Sequence, residues 1–167
     1  MTKSINICII HYNTPEMTEC LIKSINKFTP NCKIYIFDNS DKNPFTYRQD
    51  NIVYFDNTNG EIIDFEKWLE KYPEKKYSSA FKNNFGSAKH CYSVQKCIDL
   101  IDDNFILIDA DCLLVNDISS IALPSALYVG ELEIWKPKNP AKNIIKKATT
   151  RVKPYLMYIN VELCKKY

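Results

Sequence analysis

Ile5-Asn6-Ile7-Cys8-Ile9-Ile10-His11-Tyr12-Asn13-Thr14-Pro15 is the stretch that decides the fold class. Residues 5–12 are mostly apolar and β-branched, and they run straight into a polar Asn-Thr-Pro turn, which is the pattern of a buried strand. Thr14 suits a helix N-cap and Pro15 the first helical position. Beyond them Met17, Cys20, Leu21, Ser24, Ile25 and Phe28 recur at helical spacing until Thr29-Pro30 stops the helix. Lys33-Ile34-Tyr35-Ile36-Phe37 follows as a second strand and ends in Asp38-Asn39-Ser40. That order predicts a right-handed β-α-β unit.

The alternation continues. Ile52-Val53-Tyr54-Phe55 reads as a third strand, and residues 61–72 as a helix stopped by Pro73. From Gly86, the positions Ala88, Cys91, Val94, Gln95, Ile98 and Ile101 keep helical spacing and lead to Phe105-Ile106-Leu107-Ile108, then Asp109-Ala110-Asp111. We expect an α/β chain whose mostly parallel central sheet is flanked by helices. After Asp117 the pattern gives strands over 127–135 and 152–159, a lysine-rich connection over 136–150, and a helical ending from Val161.

Composition narrows the function. A chain of 167 residues suits one domain. Its three glycines, Gly60, Gly86 and Gly130, leave no way to write either glycine-rich phosphate loop. The seven cysteines are odd in number and contain no C-x-x-C pair, so free thiols in a reducing, cytoplasmic compartment are expected. The opening apolar run is too short for a signal peptide or a membrane span. Net charge is +2, but it is divided between an acidic part up to Gly130 and a basic part after it. The basic stretch 136–153 suits an anionic lipid face or the phosphates of an acceptor. It lacks the clustered arginines and interleaved aromatics of a nucleic-acid groove, so no nucleic-acid partner is expected.

Chemistry is expected outside the carboxyl ends of the strands, where α/β sheets bind ligands. His11-Tyr12-Asn13, Asp38-Asn39-Ser40 and Asp109-Ala110-Asp111 all stand there. Residues i and i+2 of an extended strand point the same way, so Asp109 and Asp111 present two carboxylates to one place. Such a pair suits Mg²⁺ or Mn²⁺ shared with substrate phosphates. By spacing alone the pair also reads as a strand end and a turn cap, and Asp38 with Asn39 as an Asx-turn. His11 has no nucleophile beside it and reads as structural. Cys112 reads as a core thiol that happens to adjoin the carboxylates.

Four segments taken in order, Ile5 to Asn13, Ile36 to Asp41, Gly86 to His90 and Ile106 to Asp111, resemble the successive motifs of the family 2 nucleotide-sugar glycosyltransferases. The resemblance covers about residues 3–117 and implies a Rossmann-like GT-A fold. In that likeness 1–117 is the part that binds a nucleoside diphosphate-sugar of the UDP or GDP type, and 118–167 begins an acceptor part. The resemblance implies that Tyr12 stacks on the base with Asn13 completing the turn, and that Asp38, with Asn39 beside it, accepts from base or ribose. Lys89 falls where the family has an Arg near the diphosphate, and His90 where it has an Asn. Asp109 would face ribose and metal, and Asp111 would hold the metal.

The acceptor half of that family normally supplies the catalytic base, and about 50 residues are too few for it. Glu131, Glu133 and Glu162 are the carboxylates after Asp117, and none is marked as a base. We therefore expect a chain that stops after the donor-binding half. It is either a glycosyltransferase acting on a glycan or lipid-linked hydroxyl, or a nucleotide-sugar-binding module without transfer. A nucleotidyltransferase is disfavoured because its glycine-rich loop is missing.

Overall fold

β1 (Ile5–His11) is the spine of the sheet, with parallel partners along both of its edges. The computed structural model describes residues 4–60, 65–71, 73, 85–135 and 149–166. In chain order β1 is followed by α1 (Pro15–Phe28), β2 (Cys32–Asp38), β3 (Ile52–Asp56), α2 (Phe65–Lys71), α3 (Phe85–Leu100), β4 (Phe105–Asp109), a 3-10 turn (Ser119–Ile121), β5 (Tyr128–Trp135), β6 (Thr149–Ile159) and α4 (Val161–Lys166). The sheet order is β3-β2-β1-β4-β6-β5. The first four strands named are parallel, and β6 and β5 add an antiparallel edge. The expected mostly parallel α/β sheet is thus what the chain forms.

Both faces of β1 and β4 and most of β2 are buried, which is why they read as continuous apolar runs and not as alternating ones, while the edge strand β3 is half-buried. The pleat sends Ile7, Ile9, Ile34, Ile36, Ile106 and Ile108 to one face, under Leu21, Ile22 and Ile25 of α1. It sends Cys8, Ile10, Phe37 and Leu107 to the other, under Cys97 and Ile98 of α3 and Ile101 just after it. The side on which a strand-end residue emerges therefore follows from its parity.

Several local expectations need correction. The buried stripe of α1 is Thr18-Leu21-Ile22-Ile25, whereas Met17 and Cys20 face solvent. One stripe of i, i+3, i+4, i+7 spacing covers the sheet, and those two residues lie off it. Pro15 does open the helix, but the Thr14 side chain makes no cap hydrogen bond. Its carbonyl instead accepts from the Thr18 amide at 3.1 Å. β6 begins at Thr149, inside the expected connection. The β5–β6 pairing slips between Gly130 and Leu132, on the segment of β6 that contains Pro154. Proline has no N–H to give a ladder, so a slip there is expected. The rest of the lysine-rich connection, residues 136–148, lies outside the described residues, as do 61–64 and 72 of the expected helix ending at Pro73.

Candidate functional site

Chain order leaves β1 for β2 on one side, then returns to place β4 on the other. The sheet therefore has a switch point between β1 and β4, and an α/β fold of this kind binds ligands beyond the carboxyl ends of the strands there. The cavity lined by Ile5, Asn6, Asn104 and Phe105 lies at the other end of the same strands. Ile10 of β1 pairs with Asp109, and His11 pairs with Asp38. Three of the polar strand ends are thereby brought to one level.

On the β1 side the centre is Asn13, held at φ 56° in the left-handed region. Asparagine tolerates that conformation because its side chain bonds locally. Here its Oδ1 accepts from the amides of Lys42 and Asn43 at 3.0 Å each, and its own amide donates to Ser40 Oγ at 2.9 Å. Its Nδ2 donates to Asp41. Tyr12, 45% exposed, donates its hydroxyl to the other Asp41 oxygen at 3.4 Å. Lys89 Nζ lies 4.3 Å from the centre of the Tyr12 ring. The bond from Asn13 holds the Asp41 carboxyl below its ordinary range, and the nearby Lys42 and Lys89 add to this. Burial pulls the Lys89 ammonium down, and the Asp41 charge opposes that shift. Tyr12, Asn13 and Lys89 are thus gathered in one cluster. Asp41, which sequence reasoning left without a role, is its hinge.

Asp38 and Asn39 stand directly below that cluster. Asp38 is fully buried: its Oδ1 accepts from the Ser40 amide at 2.8 Å, and its Oδ2 from the Phe45 amide at 2.7 Å and the Tyr54 hydroxyl at 2.8 Å. The Asx-turn reading of Asp38 is therefore realised, and its carboxylate shapes the loop that follows. Asn39, one residue on, emerges on the opposite face. There it donates to Ser93 of α3 and accepts from Asn57 Nδ2 at 2.6 Å. Gly60 closes the turn after Asn57, because a Cβ there would overlap the Asn57 amide group. His11 is buried between Thr18 Oγ1 at 2.7 Å and the Asn43 carbonyl at 3.3 Å, a structural position as expected. Ser93 was missed by sequence reasoning, although its place one turn after Lys89 on the same helix was the available signal.

On the β4 side, Asp109 shares the parity of Leu107 and so faces α3. There His90 Nδ1 is 4.0 Å from its Oδ1. Burial raises the Asp109 carboxyl, His90 counters it, and the Asp111 charge raises it again. Asp111 is exposed on the turn closed by the Cys112 amide on the Asp109 carbonyl at 3.1 Å. Among the described residues no group of three or more His, Cys, Asp or Glu side chains forms a cage for a metal. Asp109 and Asp111 are the side chains that could hold a divalent cation, and such an ion would need its remaining ligands from water and substrate oxygens. Cys112 is held as a thiol by burial and by the charges of Asp111 and Asp109, so it does not behave as an ionised nucleophile.

No family model and no curated protein matches the sequence. Among solved structures, that of galactosyltransferase LgtC in complex with donor and acceptor sugar analogs is similar, with a TM-score of 0.61 at 12% identity. The alignment covers 98% of this chain and 60% of that one. At that identity the likeness is one of fold, and the fold is the Rossmann-like GT-A arrangement of a glycosyltransferase.

Proposed function

We propose that this chain is a glycosyltransferase, or the nucleotide-sugar-binding portion of one, that moves a sugar from a nucleoside diphosphate of the UDP or GDP type to a glycan or lipid-linked hydroxyl. The observation that carries the reading is the gathering of polar groups at the carboxyl ends of the parallel strands, with Tyr12, Asn13 and Lys89 after β1 and Asp109 with Asp111 at the end of β4. Tyr12 offers a ring for the base, and Asn13 fixes the turn that presents it. Asp38 and Asn39 serve the same pocket from beneath, by holding the loop 40–45 and the start of α3 in register. Asp109 and Asp111 would hold the divalent cation, which, when bound, supplies the positive charge that a departing diphosphate needs. The four ordered motifs resemble those of the family 2 enzymes, and that likeness supports the reading.

The test is calorimetry of UDP and GDP binding with Mn²⁺, for the wild type and for Asp111→Ala. Affinity that falls at least tenfold in the variant supports the reading. Equal affinity in both proteins removes the carboxylates from the site.

A second reading is a module that binds the nucleotide-sugar without transferring it. It rests on the stretch after Asp117, where the described carboxylates Glu131 and Glu162 are exposed and stand on β5 and α4. Donor hydrolysis or transfer by this chain would exclude it. No helix among the described residues is long and apolar enough to cross a membrane. Contact of the basic stretch 136–153 with anionic lipid, in a reducing cytoplasmic setting, belongs to the same reading. Co-sedimentation with liposomes that ignores their anionic lipid content would dispose of it.

A further inference from the structure

We infer that Lys89 acts on the nucleobase end of the donor, by fixing the Tyr12 ring as a stacking platform, and does not serve as the cation for the diphosphate. The inference rests on the nucleotide reading above and reverses the role that the family resemblance implies for Lys89.

Lys89 is 9% exposed, and its Nζ stands over the Tyr12 ring at 4.3 Å. A desolvated ammonium over an aromatic face is held there by the ring's quadrupole. The turn of α3 that carries it is fixed too: the Lys89 carbonyl accepts from Ser93 Oγ at 2.8 Å, and Ser93 accepts in turn from Asn39 at the end of β2. The Tyr12 hydroxyl is tied to Asp41, which Asn13 holds in place. Tyr12 is thus held at its hydroxyl and across one face, and still keeps nearly half its surface open. A ring ordered before the ligand arrives gives up little rotamer freedom on binding, and stacking accepts any base. Consecutive helical side chains point about 100° apart. So α3 aims Lys89 at Tyr12 while His90, the next residue, stands beside Asp109. His90 is thus the α3 side chain that stands beside Asp109.

The role predicts a division of the ligand into two halves. Lys89→Met keeps the buried stem and removes the cation. Relative to the wild type, UDP and uridine should both weaken, by the same factor of about five, while inorganic diphosphate with Mn²⁺ should bind unchanged. Lys89→Arg should restore binding. In a Tyr12→Leu background Lys89→Met should add no further loss, since two groups acting through one contact are not additive. Asp41→Asn, at an exposed position, loosens the same ring from its hydroxyl and should show the same base-selective loss. Weaker diphosphate with unchanged uridine would overturn the inference, and so would full additivity with Tyr12→Leu. A wild type that binds neither UDP nor GDP would instead defeat the nucleotide reading itself, and this inference with it.

Discussion

Asp38 shows what a single buried carboxylate does for the loop after β2. It accepts from two backbone amides and one hydroxyl, all from the chain that follows it. Asp38→Asn turns an amide NH₂ toward donors and should cost about 2–4 kcal/mol of stability. Urea unfolding would show this, and a loss under 1 kcal/mol would mean the loop is held otherwise. Asp109 gives a different kind of prediction. Its carboxyl is raised in the folded chain, so it favours the protonated form there. The stability it contributes is full below the unfolded carboxyl range and is lost as pH rises through the raised value. Asp109→Asn should therefore melt above the wild type near pH 7.5, with the gap closing toward about pH 4. A gap that does not change with pH would contradict this account of Asp109. Adding Mn²⁺ and nucleotide should favour the wild type, because only it has the charge to hold them.

At the scale of elements, α1 and α3 cover opposite faces of the sheet and leave one side each in water. Ile22→Ala on the buried stripe of α1 should cost about 2–4 kcal/mol, and Met17→Ala, which is exposed, less than about 0.5. Comparable losses in denaturant titrations would mean the helix is seated differently. The cysteines report the same geometry. Cys20 and Cys91 are exposed on these helices, while Cys8, Cys32 and Cys97 are buried, and burial pushes the Cys32 thiol up to about 11. A thiol reagent at neutral pH should modify the first two in the native chain and the last three only on unfolding. Mass spectrometry of the labelled peptides reads the difference.

Strands, helices and their bounding turns were legible because each is written in local spacing. Ile5–His11, Cys32–Asp38 and Phe105–Asp109 begin and end close to where their apolar runs and turn residues place them. The stripe of α1 was misread in part because Met17 and Cys20 are apolar enough to join it on paper, and which side of a helix is covered is decided by the sheet. Contacts between elements were not legible. No local pattern says that Lys89 meets Tyr12, that Asn39 meets Ser93, or that β4 lies beside β1. For the site, position at the strand ends was readable. The division of labour between buried Asp38 and exposed Asp111 was not, because burial belongs to the assembled sheet.

For the molecule as a whole, the sheet order matters more than any one residue. Placing β4 beside β1 puts Asp109 and the residues after β1 at the same end of the sheet, and under the proposed function the binding of a nucleoside diphosphate there should depend on the cation. Titration of the full chain with UDP and GDP, with Mn²⁺ and with chelator, tests this most directly. The account predicts saturable binding of at least one of them with Mn²⁺, weakened tenfold or more by chelator and by Asp111→Ala alike. Binding that is indifferent to both, or no binding at millimolar nucleotide, would contradict it.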